Sequence, residues 1–334
     1  MKKLIPVIVI LVLTFVNRSL AQVDPHFSQY YAYPLWLNPA LTGIVDGDTR
    51  FTGNARDQWA GINGGYKTVA FSGDFRTTDK ISLGFNMIDQ MAGTAGYNYF
   101  AGYGSFAYQI AVSHSGYHRV NFGLQAGVIN RSFDPSKLQL DDQYNSSTGY
   151  FDPSLPNFEN FATSSATVFD ASAGIFYYDG TPSNSANVFL GGAVSHLVPV
   201  KDPLATNGLN SRIPLRITIH GGVRIRASDV LDFTPHVLYV NEQQNMIRAA
   251  GMYMEFKLKE ESSFILGGMY RLNDAAIANV GFHVNSMILG LSYDYNTSGL
   301  QGATNRQGGY ELSLSYVFKK RVRIETQSQV CPRL

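Results

Sequence analysis

Cysteine is almost missing from this chain: Cys331 stands alone among 334 residues. A single thiol rules out an internal disulfide framework. Charge is scarce as well, at 15% against the roughly 25% of ordinary soluble domains. Basic and acidic residues nearly cancel, leaving a formal charge of +1, so there is no electrostatic footprint for nucleic acid. After the first twenty or so residues no apolar run approaches the ~18 that a spanning helix needs. What is abundant is glycine, at 32, with 20 tyrosines and 21 phenylalanines. That balance favours β-structure.

The start of the chain is an export signal. Lys2 and Lys3 precede an almost purely apolar run from Leu4 to Val16, and Ser19-Leu20-Ala21 supplies small residues where a signal peptidase reads. The run is short and wrongly flanked for a retained anchor, which is the alternative reading. With no cysteine nearby, a lipoprotein is not indicated. The mature chain is expected to begin at Gln22, leaving 313 of the 334 residues for one large domain or two small ones.

Within that remainder the dominant period is two. In "IPLRITIHGGVRIR", Ile213, Leu215, Ile217, Ile219, Val223 and Ile225 alternate with Arg216, Thr218, His220, Arg224 and Arg226. "KISLGFNMI" and "MILGLSYDY" alternate in the same way, with Leu289 on the apolar face and Ser292 on the polar one. Further candidate strands fall near 49–56, 66–75, 94–110, 118–131, 167–178, 186–198, 229–240, 245–258, 262–271, 274–285 and 310–319. Together they make fourteen, an even number joined mostly by short connections. Two long stretches, 133–166 and 198–212, read as loops.

Alternation suits both a soluble sandwich and a membrane barrel, which differ in which face meets water. Here the polar face is rich in Gly, Ser, Thr and Asn rather than the Lys and Glu of a solvated sheet. Aromatics gather at strand ends, as in Tyr293–Tyr295 and Tyr316–Phe318, which suits an interfacial girdle. The expected fold is therefore all-β: a transmembrane antiparallel β-barrel of about 14 strands. Its expected organisation is a signal peptide at 1–21, an irregular segment at 22–48, the barrel at 49–319 and a tail at 320–334.

The irregular segment contains "DPHFSQYYAYPLWLNPALTG", residues 24–43, which fits neither the helical nor the strand period. Three prolines remove backbone donors and stiffen it. Phe27, Tyr30, Tyr31, Tyr33 and Trp36 are large anchors with low entropy cost. Asn38, Pro39 and Gly43 read as a cap, a first helical position and a stop for one short turn. A strap or plug is expected, docked by side chains at the periplasmic side or folded into the lumen from there. A purely structural cover over the barrel wall is the plainer alternative.

The same residues carry a resemblance. This opening resembles the N-terminal signature of the PorP/SprF family of type IX secretion membrane proteins. "NARDQWAG", with Arg56 and Trp59, is similar to that family's next block, and "NFGLQAGVINRSFD", "FDASAGIFYYDG" and "GGAVSHL" resemble its internal blocks in order. The resemblance implies an outer-membrane barrel that works with the secretion and gliding machinery. Its implied partners are periplasmic and outer-membrane secretion components, a secreted surface protein or adhesin, and the lipid bilayer. Asp24, Pro25, Phe27, Tyr30, Tyr31, Trp36, Asn38, Pro39, Arg56 and Trp59 are the candidate partner-binding or plug residues. The ending "CPRL" resembles the family's tails only loosely, with Leu334 where an aromatic is expected.

Enzymatic signals are weak. "GINGGYKT" places Tyr66 where a phosphate loop needs glycine, and "GYGSFA" lies inside a strand pattern rather than opening a helix. His114 and His118 have helical ligand spacing but flank a turn. His220, His236 and His283 fall on polar strand faces, where filling a lumen is the simpler role. No catalytic, metal or cofactor residue is assigned. Arg216, Arg224 and Arg226 are expected to pair with carboxylates such as Asp170, Asp232 and Asp294, and giving a pore anion preference is the alternative. A passive porin or small-solute channel is the second functional reading.

Overall fold

Fourteen of the strands in this chain close on themselves, each antiparallel to its neighbours in sequence order. The structure is a computed structural model and describes residues 24–319 apart from 60, 63, 153, 156–162, 201–211, 244 and 260. The expected signal peptide and the tail with Cys331 lie outside the described residues. The strands are β1 (Thr49–Gln58), β2 (Tyr66–Arg76), β3 (Ile81–Ala92), β4 (Tyr97–Ala111) and β5 (His118–Ser132), then β8 (Ser165–Asp179) and β9 (Ala186–Ser195). They continue through β10 (Arg216–Arg226), β11 (Leu231–Glu242), β12 (Asn245–Lys259), β13 (Ser262–Arg271), β14 (Ala275–Val284), β15 (Met287–Asn296) and β16 (Gln307–Phe318). Between β5 and β8 sits a small separate ribbon, β6 (Tyr144–Asn145) paired with β7 (Tyr150–Phe151).

Closure comes from β1 pairing with β16, with Phe51 opposite Tyr316 and Arg56 opposite Glu311. A closed barrel has no edge strand, and strands of 10–15 residues are long enough to cross a bilayer when tilted. The faces are inverted relative to a soluble protein. Val69, Leu124, Leu190 and Leu291 are more than half exposed on the outside, whereas Arg56, Asp232, Asp294 and Glu311 are buried within. An apolar exterior around a polar interior is the signature of a membrane barrel. Phe51, Phe71, Phe75, Phe85, Tyr316 and Phe318 form a continuous aromatic patch over the β1–β16 seam.

Each expected strand is present, with shifted ends where backbone chemistry intervenes. The alternation from Ile213 runs ahead of β10, which starts only at Arg216, because Pro214 has no N–H to give the ladder. β9 stops at Ser195, where His196 adopts a φ of 60° and turns the chain away. The stretch 133–166 is loop for most of its described length but carries the β6–β7 ribbon.

All strand connections on one end, 77–80, 112–117, 180–185, 227–230, 260–261 and 285–286, are short. The opposite end carries the long ones, 133–164, 196–215 and 297–306. Because the strand number is even, the chain enters β1 and leaves β16 at the short-turn end.

Candidate functional site

The segment before β1 runs through the inside of the barrel. Strands on every side of the closed sheet bond to it, so its position is the lumen. It contains a 3-10 turn at Tyr30–Ala32, a single α-turn at Pro34–Leu37 and a second 3-10 turn at Pro39–Leu41. The last is the short turn expected from the sequence: the Asn38 side chain accepts from the Ala40 N–H at 2.9 Å, Pro39 fills the first position, and Gly43 follows with a φ of +76°. Prolines at the start of both later turns fit because those positions need no donor.

Three polar clusters hold the segment at three depths. At the long-loop end, Asp24 bonds to His196 Nε2 at 2.8 Å and Arg216 Nη1 at 3.2 Å, and the Asp24 N–H donates to Glu242. His196 donates through its other nitrogen, Nδ1, to Asp170, which also accepts from Tyr103. Burial opposes charge on Asp24, but His196, Arg216 and Arg131 outweigh it and hold the carboxyl below its usual range. Burial likewise opposes charge on His196, and Asp24 and Asp170 push it up to about 10, so the pair is an ion pair at neutral pH.

One step deeper, Glu311 accepts from the backbone N–H groups of Ser28 and Gln29 at 2.7 and 3.0 Å. Ser28 Oγ donates to Asp294, and Arg56 bonds Ser28 Oγ at 2.7 Å, Asp294 at 2.9 Å and Glu311 at 3.3 Å. Arg271 adds a second guanidinium to Asp294 at 3.0 Å and also pairs with Asp274. Three acids and two arginines thus pair in one network around two backbone amides, and such pairing is the condition under which buried charge is tolerated. At the short-turn end, Asp74 accepts from the Gly43 N–H at 2.8 Å and from Arg50, while Arg76 donates to the carbonyls of Gly43 and Val45.

The aromatic anchors fill the space between these clusters. Tyr30 and Tyr31 pack on His236, and Tyr31 also lies edge-on to Phe189 and His220. Phe27 packs on Tyr33, whose hydroxyl reaches the carbonyls of Phe71 and Met87. Trp36 donates to the Pro25 carbonyl at 2.8 Å and carries the Arg216 guanidinium over its ring. Asn38, fully buried, donates to the Ile175 carbonyl at 3.0 Å and lies 3.1 Å from His220 Nε2.

The lumen wall is shaped to the segment. A Cβ at Gly123 would collide with the Pro39–Ala40 backbone, and one at Gly174 would collide with the Asn38 side chain. Glycine at these strand positions permits close approach of a second backbone. Sequence reasoning missed these glycines, because nothing in a strand's own period reports what lies across the lumen. It also missed Ser28, Gln29, Arg271 and Glu311 as partners.

Of the sequence candidates, the structure brings Asp24, Pro25, Phe27, Tyr30, Tyr31, Trp36, Asn38, Pro39 and Arg56 into one buried assembly. Trp59 sits apart, at the long-loop mouth. The expected arginine pairing holds for Arg224, which bonds Asp232 through Nε at 2.9 Å. It does not hold for Arg216, whose carboxylate is Asp24 of the inner segment, nor for Asp294, which serves Arg56 and Arg271. Arg226 is exposed beyond the lumen. His118 bonds Tyr177, and among the described residues no group of three metal-ligating side chains converges.

Residues 19–316 match the family profile described as "Type IX secretion system membrane protein PorP/SprF". The chain belongs to the PorP/SprF family. Among curated proteins there is no significant match. In fold, this PorP/SprF protein is similar to the toluene transporter TbuX of Ralstonia pickettii, with a TM-score of 0.52 and 12% identity over 85% of this chain and 93% of that one. It is also similar to the CymD monoaromatic hydrocarbon channel, with a TM-score of 0.51 and 12% identity over 87% and 94% of the two chains. At that identity the likeness is one of barrel architecture alone. A PorP/SprF barrel with its lumen occupied is, in fold and family, a secretion-associated membrane protein.

Proposed function

We propose that this PorP/SprF protein is a non-enzymatic outer-membrane component of the type IX secretion and gliding machinery. In this reading the barrel docks periplasmic or outer-membrane components and helps secrete and anchor a surface protein. The inner segment closes the barrel, so that docking does not come with an open pore. The observation that carries the reading is the family match across residues 19–316 of a chain whose lumen holds its own segment from Asp24 to Val45. Signal-like export and short turns at the end where the chain enters β1 support an orientation with that end in the periplasm.

The porin alternative has the barrel fold in its favour but not the interior. Three separate ion-paired clusters on one segment hold the lumen against passive flow.

Crosslinking in native membranes followed by affinity capture tests the role. The full-length protein is expected to retain secretion components or a large surface protein. A variant lacking residues 24–43 behind an intact signal peptide is expected to assemble and to lose part of that set. If the intact barrel captures no secretion component, and its loss leaves surface-protein secretion unchanged, the secretion role is wrong.

A further inference from the structure

We propose that the long-loop mouth of the barrel is a binding site for a neutral saccharide, with Trp59 as its stacking platform. The proposal does not rest on the secretion reading. A cavity of about 540 Å³ opens there, lined by Trp59, Tyr66 and Tyr97 and by Gln58 and Gln90, with Asp24, His26 and Arg131 also in its lining. That volume suits two or three sugar rings rather than a folded partner.

The chemistry of the lining narrows the ligand. Sugars combine flat C–H faces, which stack on aromatic rings, with hydroxyl edges, which suit side-chain amides able to donate and accept. Trp59 and Tyr66 stand edge to face at 5.5 Å, so one ring braces the other and leaves a rigid wall. Gln90 donates to Thr68 at 3.0 Å, which fixes its orientation. His26 Nε2 is shielded from water and has no hydrogen-bond partner among the described residues. Burial, with Arg271, Arg56 and Arg216 nearby, pushes the His26 pKa down, so its imidazole is neutral.

Other ligand classes fit less well. Asp24 is already answered by His196 and Arg216, so it offers no unspent charge to a cation or a peptide amine. Arg131 lies over the Tyr99 ring, 5.5 Å from its centroid. A hydrocarbon would bury the Gln58 amide and the Gln90 side-chain carbonyl against a surface that offers them no hydrogen bond. An extended peptide would seek a sheet edge, and a closed barrel has none.

The backbone at the mouth is also unusual. Trp59 has a φ of 59°, a conformation that a bulky side chain rarely takes and that concentrates at ligand sites. The adjoining loops are clamped together, with the Gly93 N–H donating to the Gly64 carbonyl at 2.8 Å.

Tryptophan fluorescence of the full-length barrel in detergent tests the site. The chain has only two tryptophans, and Trp36→Phe leaves the emission of Trp59. Maltotriose, cellotriose and triacetylchitotriose are the probes, with tetra-alanine as a peptide control. At least one trisaccharide is expected to give a saturable change in Trp36→Phe, and calorimetry should show the binding about tenfold weaker or lost in Trp59→Ala. Gln90→Ala and Tyr66→Ala should each weaken it too, which keeps the test valid if Trp59→Ala fails to assemble. The proposal is overturned if no trisaccharide gives a saturable signal. It is equally overturned if tetra-alanine binds as well, or if assembled Trp59→Ala, Tyr66→Ala and Gln90→Ala bind like the parent.

Discussion

Arg56→Met is expected to destabilise the barrel by about 3–5 kcal/mol, the range for removing one partner from a buried ion pair. Methionine keeps much of the volume, so the loss is electrostatic rather than a cavity. Arg56 touches Ser28, Asp294 and Glu311 at once, and all of them are buried. Without it, Asp294 keeps Arg271, but Glu311 is left with only the two backbone amides of the inner segment. The midpoint of denaturant unfolding in detergent reports the effect. Adding Glu311→Gln to Arg56→Met should recover part of it, because the stranded charge is then gone. An Arg56→Met midpoint equal to that of the parent would mean that the central cluster does not hold the segment.

Leu291→Arg is the second large effect. Leu291 is 51% exposed on the outer face at the middle of β15, between Val280 of β14 and Leu312 of β16. A charge at the bilayer midplane costs about 2–4 kcal/mol in a barrel of this kind. Assembly yield in membranes and heat-modifiable gel mobility should both fall, while Leu291→Phe should be tolerated. The sequence also placed Ser292 on the polar face, and the structure shows that this face is not free space. Ser292 is buried opposite Glu311, in a wall already packed by the inner segment. A large residue there meets crowding rather than a water-filled channel.

These two positions show what was legible and what was not. Leu291 and Ser292 could be assigned to opposite faces because strand side chains alternate, and that period holds through the middle of β15. The short turn at Asn38–Pro39–Gly43 was legible for a similar reason: cap, proline and glycine act within a few residues. The path of the segment was not. Asp24 meets Arg216 and His196 across nearly two hundred residues of sequence, and nothing local encodes that meeting. Arg216 was therefore given a partner on a neighbouring strand, when its carboxylate comes from the lumen. The glycines at 123 and 174 read as ordinary strand glycines, although they make room for a second backbone. β6 and β7 escaped because two-residue strands have no period.

The depth reached by the segment also goes beyond what its sequence suggested. Docking from the short-turn end was expected, and the segment does enter β1 there. Its first described residue, however, lies at the opposite mouth, so the segment spans the lumen from end to end.

Single-channel conductance in a planar bilayer tests the central claim, that residues 24–43 close this barrel. The full-length protein should insert and remain silent. The variant lacking 24–43 should insert and give steady open-channel current, because the polar wall that Arg56, Asp74, Asp294 and Glu311 form would then face water. A full-length barrel that conducts as freely as the deleted one would contradict the account.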